Sequence, residues 1–186
     1  MANVLLVSGS TRASSSNSAL LRTAVAAAPS GIATARYEGL SSLPHFNPDD
    51  DREPLPPVVA ELRAAIAAAD AVLFCTPEYA GTLPGSMKNL LDWTVGGTEM
   101  SDKPVAWVNA AADRHRGTGA QATLATVLGY VQARIVEKAC RHVPVMPGAV
   151  GDDGLIAGEA TRAAIADVLT ALVRSVAQPK VRPSPR

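Results

Sequence analysis

The constraint that decides the fold is an alternation of short, wholly apolar runs with longer segments of helical spacing. "NVLLVSG" (3–9) and "AVLFC" (71–75) leave no position for a polar face. Strands of that kind must be covered on both sides, which is the situation of parallel strands. Between them stand "SALLRTAVAAA" (18–28), stopped by Pro29 and Gly31, and "VVAELRAAIAAAD" (58–70). In the latter, Val59, Leu62, Ile66 and the alanines make one inner face. "IATARYEG" (32–39) alternates weakly and suits a strand nearer a sheet edge. Further along come a helix over "PGSMKNLLDWTV" (84–95) with Pro84 in its first turn, a strand over "KPVAWVNA" (103–110) and a helix over "GAQATLATVLGYVQ" (119–132). A fifth strand is expected near 141–146 and a last helix over 158–178. Strands with intervening helices predict an α/β fold, a doubly wound five-stranded parallel sheet with helices on both faces. Right-handed crossovers favour the order 2-1-3-4-5.

The 186 residues suit a single domain over 1–178, with "PKVRPSPR" (179–186) as a flexible C-terminal tail. Lys and Arg together number 17, as do Asp and Glu, so no nucleic-acid, polyanion or membrane-surface partner is expected. "MANVLLVSGS" has no basic leader and reads as a strand, and no segment approaches the ~18 unbroken apolar residues of a membrane span. Cys75 and Cys140 are the only cysteines, too few for a disulfide framework, so the cytoplasm is the expected compartment. His45, His115 and His142 lack metal-ligand spacing, and no metal site is expected. The "DDD" at 49–51 sits in a proline-rich loop (40–57) and reads as a solvated turn.

In doubly wound sheets ligands bind outside the carboxyl ends of the strands, where strand order reverses. The unusual loops of this chain follow strands 1, 3 and 4. "SGSTRASSSNS" (8–18) has neither the Walker pattern nor the three glycines of the dinucleotide fingerprint. It offers seven hydroxyls (Ser8, Ser10, Thr11, Ser14, Ser15, Ser16, Ser18), Arg12 and Asn17 at a helix start. One serine there would serve as a cap. Seven with a guanidinium exceed what capping requires, and the loop is read as a phosphate site.

After strand 3, "TPEYAGTLPG" (76–85) runs from a core strand directly into proline, carboxylate, tyrosine and glycine. A tight turn needs only the proline and glycines. Glu78 and Tyr79 at the crevice edge suggest a rigid backbone surface facing a flat ring, with Gly81 permitting close approach.

These stretches resemble the NADPH-dependent FMN reductases of flavodoxin-like fold. The likeness rests on "GSTRASSSN" (9–17), on "LPHFNPD" (43–49) and above all on "TPEYAGTLPGSMKNLLDW" (76–93), and spans most of 3–175. It implies that Ser10, Arg12, Ser16, Asn17 and Ser18 hold the phosphate of FMN, and that Pro77, Glu78, Tyr79, Ala80 and Gly81 border its ring. Asn109, Gly117, Gly119 and Gln121 are candidates from the loop after strand 4. It further implies NADPH or NADH as reductant, a small-molecule electron acceptor, and a homodimer or homotetramer through helix 84–95. This chain departs from many members in having Ala80-Gly81-Thr82 where they have Asn-Gly-Ser. It departs again in the loop "NAAADRHRGTGAQ" (109–121), where they are often Ser- and Gly-rich.

Hydride transfer between nicotinamide and flavin requires stacking and charge stabilisation more than a side-chain acid or base. No catalytic residue is therefore assigned, and Glu78 is read as structural. Cys75 is expected to pack as a small buried thiol. "DRHRG" (113–117) is a solvated basic loop or a receiver for the 2′-phosphate of NADPH. A flavodoxin-type electron carrier is the alternative reading, although such carriers often steer partners by strong surface charge, which this chain lacks.

Overall fold

In the computed structural model, which describes residues 1–177, the apolar runs pair as the alternation demands. Ala2–Ser8 (β1), Ile32–Tyr37 (β2), Ala71–Cys75 (β3) and Pro104–Asn109 (β4) form a parallel sheet in the order β2-β1-β3-β4. The registers place Leu6 between Arg36 and Leu73, and Cys75 between Ser8 and Val108. Helices Ser16–Ala26 (α1), Pro57–Ala68 (α2), Gly85–Asp92 (α3), Thr118–Tyr130 (α4) and Glu159–Val176 (α5) cover both faces.

Alternate strand residues enter two separate cores. Val4, Leu6, Leu73, Cys75 and Val108 pack against α1 and α5. Leu5, Val7, Val72, Phe74 and Val105 pack against α2, α3 and α4. All five residues of β3 are buried, which is why its sequence shows no alternation. The edge strand β2 is mostly half-buried, matching its weaker pattern.

The fifth strand position departs from expectation. It is shared by two short pieces, Arg134–Ile135 (β5) and Arg141–His142 (β6), both parallel to β4. A 3-10 turn at Glu137–Ala139 separates them and buries Ala139 fully. Beyond β6, Val143 N donates to Asn109 O (2.9 Å) and Val145 N to Ala110 O (3.1 Å). The apolar alternation at 143 and 145 is thus real, but the chain leaves the ladder to pack Ala139 against the core of α5.

Loop 40–57 is more ordered than its composition suggests. Asp51 pairs with Arg63 at 2.6 Å, the two side chains being 9% and 11% exposed, so it is not a solvated acid. Trp93 is fully buried, donates from Nε1 to Pro44 O (2.8 Å) and meets Phe46 edge-on at 5.0 Å. It serves the core, leaving Lys88 and Asp92 as an ion pair on the outer side of α3. Among the described residues no helix is long and apolar enough to cross a membrane.

Candidate functional site

The sheet reverses its order between β1 and β3, so the loops that follow β1, β3 and β4 meet at one edge. β1 leaves the sheet at Gly9, whose N–H donates to Cys75 O (2.9 Å). A Cβ on Gly9 would stand 2.1 Å from Thr76 Oγ1, so only glycine lets the two exits cross. Ser15 then caps α1, its Oγ accepting from Ser18 N at 3.5 Å. The N–H groups of Ser16 and Asn17 have no partner among the described residues and remain as donors at the positive end of the helix.

The Asn17 side chain is 8% exposed and held from beneath. Its Oδ1 accepts from the Cys75 thiol at 3.2 Å, and its Nδ2 reaches Ser15 Oγ at 3.5 Å. Complete burial pushes the Cys75 thiol far above its ordinary value, outweighing a hydrogen bond from the Ala110 backbone, so it stays protonated and donates. Cys75 therefore packs as expected and also orients Asn17.

The loop after β3 is a hairpin in miniature. Tyr79 and Thr82 exchange backbone hydrogen bonds of 3.0 and 3.1 Å. Ala80 and Gly81 between them have φ of 50° and 76°, the left-handed pair that a type I′ turn requires. The hairpin is latched to α4. Glu78 Oε2 accepts from Gly119 N (2.7 Å) and Ala120 N (3.1 Å). A Cβ on Gly119 would lie 2.1 Å from Gly81 O, so turn and helix touch backbone to backbone. Thr82 Oγ1 and Thr123 Oγ1 add a 2.8 Å bond. Glu78 is thus a capping carboxylate at a helix N-terminus, in accord with the structural role read from the sequence.

The loop after β4 is folded around Asn109. Its Nδ2 donates to Arg116 O (2.7 Å) and its Oδ1 accepts from Ala111 N (3.0 Å). Gly117 has φ of 88°, and a Cβ there would meet the Asn109 amide at 2.8 Å. His142, from β6, contacts Ala111 O through Nε2 at 2.7 Å. Asn109 is therefore committed to shaping this loop.

The three loops enclose a crevice of about 440 Å³, inside the roughly 300–1,000 Å³ range of small-molecule sites. Of the residues singled out in the sequence, Arg12, Ser16, Asn17, Pro77, Glu78, Asn109 and Gly117 line it. Tyr79, Ala80 and Gly81 form the exposed hairpin beside it, and Gly119 sits under that hairpin. Ser10 and Ser18 instead line a second cavity on the β2 side of the first loop, which Arg12 also borders. Gln121 lies in the first turns of α4 and borders neither cavity. Sequence reasoning passed over Thr76 and Asp113 on the crevice wall, and Ser15 as the cap. A cap followed by a helical run is a readable signal; the Thr76 contact with Gly9 is tertiary and has none.

Residues 2–173 match the family of NADPH-dependent FMN reductases. The chain belongs to that family. It is 34% identical over 171 residues to the NAD(P)H-dependent FMN reductase of Pseudomonas aeruginosa, covering 91% of this chain and 92% of that one. A quinone reductase of Pseudomonas putida is 36% identical over 121 residues, 63% of this chain and 64% of its own length. Among solved structures, the flavoenzyme NAD(P)H:(acceptor) oxidoreductase FerB of Paracoccus denitrificans superimposes with a TM-score of 0.74 at 26% identity, covering 95% and 97% of the two chains. The sheet order and the five helices are flavodoxin-like, and this reductase family is one of oxidoreductases that use FMN and NAD(P)H. Fold, family and enzyme class thus agree with the reading of the sequence.

Proposed function

We propose that the crevice holds FMN and that the protein reduces a small-molecule acceptor, a quinone or a free flavin, with electrons from NAD(P)H. The residues present fit that cofactor. Free N–H groups at the start of α1, the Ser16 hydroxyl, the Asn17 amide and the Arg12 guanidinium form a donor set for a phosphate monoester. Gly119 supplies the close backbone approach that fixes the hairpin at 79–82, the surface that would border the ring.

Bound there, FMN supplies the hydride-accepting and hydride-donating chemistry. The chain binds, orients and tunes. Backbone groups of the hairpin are set in place by the Glu78 latch before any ligand arrives, so they need no reorganisation during reaction. Glu78 itself is spent on two helix N–H groups. Arg116, on the opposite wall, adds a second cation to the crevice.

The observation that carries this reading is the meeting, in one crevice, of an anion-ready helix start and a rigid hairpin. The test is an absorption spectrum of the purified protein with and without added FMN, followed by anaerobic addition of NADPH or NADH. Bleaching of bound flavin is the expected result. Flavin that binds but is not bleached would indicate an electron carrier instead, and absence of binding would defeat the reading altogether.

The working form is a homo-oligomer, and the compartment is the cytoplasm, where Cys75 and Cys140 stay reduced. With Trp93 buried, the self-association surface is carried by Val95 (62% exposed) and Tyr130 (86% exposed). These border an apolar groove between the ends of α3 and α4.

A further inference from the structure

The second cavity, about 260 Å³, lies between α1 and the carboxyl end of β2. Three guanidiniums line it, each delivered by a different element: Arg12 from the first loop, Arg22 from α1 and Arg36 from β2. Arg36 is the register partner of Leu6, and Leu6 belongs to the core of α1 and α5. A cation on that inward face of a strand is unusual unless something compensates it. Its ion-pair partner is Glu38, whose side chain is 70% exposed, and exposed pairs of that kind hold weakly. Arg22 is anchored through Nε to Gly154 O (3.0 Å), and its two terminal nitrogens have no partner among the described residues.

With Arg12 given to the phosphate of FMN, Arg22 and Arg36 face the single carboxylate of Glu38 in this cavity, an excess of one positive charge. The chain as a whole has none to spare, with a formal net charge of zero. A phosphate monoester suits both the positive excess and the forked donor geometry of two arginines. The volume falls below the roughly 300–1,000 Å³ that accommodates a whole drug-sized ligand. It suits one end of a larger molecule. Because Arg12 borders both cavities, the other end can lie in the crevice.

We propose that this cavity is a second phosphate-monoester subsite, filled by the 2′-phosphate at the adenosine end of NADPH, with Arg22 and Arg36 selecting NADPH over NADH. The proposal rests on the assignment of the first crevice to FMN. It displaces the basic run at 114–116 from that role. Arg114 borders neither cavity, and Arg116 shares the crevice wall with Asp113.

The test is calorimetric titration of the FMN-loaded protein with 2′,5′-ADP, 5′-ADP and inorganic phosphate. The 2′,5′-ADP should bind at least about tenfold more tightly than 5′-ADP, as one well-made charged hydrogen bond implies. Arg22→Gln and Arg36→Gln should each reduce that preference by about tenfold and raise KM for NADPH, with FMN affinity and NADH turnover unchanged. Because Arg22 also anchors Gly154, a lowered Tm in that variant leaves Arg36→Gln to decide. Equal binding of the two nucleotides would overturn the proposal. So would a preference that survives both substitutions, or one that vanishes instead in Arg114→Ala or Arg116→Ala. Inorganic phosphate binding as tightly as 2′,5′-ADP would mark a free-anion site. Nucleotide binding abolished by FMN would mean that the cavity serves the cofactor's own phosphate. Failure of the wild type to take up FMN defeats the crevice assignment separately, since the nucleotide preference can still be measured on the FMN-free protein.

Discussion

The loops after β3 and β4 border the same crevice but are shaped by different means. The first carries its turn within itself, in Pro77, two consecutive left-handed residues, a reciprocal pair of backbone bonds spanning four positions, and Pro84 before the next helix, and is then latched to α4. The second has local bonds of its own, Arg116 N to Asp113 O, His115 N to Asp113 Oδ1 and Thr118 Oγ1 to His115 O, but its path from β4 is fixed by two strand residues, Asn109 and His142. A loop of the first kind is specified by neighbouring residues. One of the second kind is specified by tertiary partners, and changes to those partners should disturb it selectively.

The contact joining the two regions should give the largest effect. Gly119→Ala would gain up to about 1 kcal/mol of helix propensity if the site were open. It is closed by backbone, with Gly81 O at 2.1 Å from the added carbon. Overpacking of that kind costs about 1–3 kcal/mol and should reverse the sign. Tm should fall by roughly 2–10 °C in a thermal melt, with faster amide exchange in both 79–82 and 118–120. A variant as stable as the parent would mean that hairpin and helix are independent.

Next comes the latch. Glu78→Gln keeps the shape but loses the charge that two N–H groups of α4 point toward. A loss of about 1–2 kcal/mol is expected from the capping and dipole contributions. The kcat should stay close to wild type with an unshifted pH profile. Removal of a true general base would lower the rate about 10²–10⁴-fold, so kinetics separate the two roles cleanly.

Asn109→Ala should act on one side only. It removes two hydrogen bonds that close the 110–117 loop, at 2.7 and 3.0 Å, for a cost of about 1–2 kcal/mol. Amide exchange and protease cleavage should rise in 110–117 while 76–84 stays protected. Equal loosening of both loops would erase the distinction between them.

The same distinction explains what the sequence disclosed. The first four strands and all five helices were legible because each is either an unbroken apolar run or a periodic one, bounded by its own stop signals. The fifth strand was legible in its place near 141–146 but not in its division into two short pieces, because Ala139 leaves the ladder for a packing reason that no local pattern records. Within the site, the rigidity of the loop at 76–85 and the structural role of Glu78 were readable, while its latch to α4 was not. The division of the first loop between two cavities, with Ser16 and Asn17 on one side and Ser10 and Ser18 on the other, depends on how α1 lies against β2. The bond from Cys75 to Asn17 depends in turn on how α1 lies against β3, and joins residues 58 positions apart.

The smallest effect tests whether the hairpin really holds itself. Ala80 sits at φ of 50°, where a side chain with a Cβ crowds the following carbonyl at a cost of about 1–2 kcal/mol. Asparagine tolerates that region and is the favoured first residue of a type I′ turn. Ala80→Asn should therefore stabilise the protein by about 0.5–1 kcal/mol, raising Tm by about 1–4 °C with 110–117 unaffected. Ala80→Gly relieves the same crowding but loosens the unfolded chain as well, so it should gain less. If neither substitution raises Tm, the left-handed pair is imposed by the Gly119 contact rather than encoded by the turn. Both loops would then be shaped from outside.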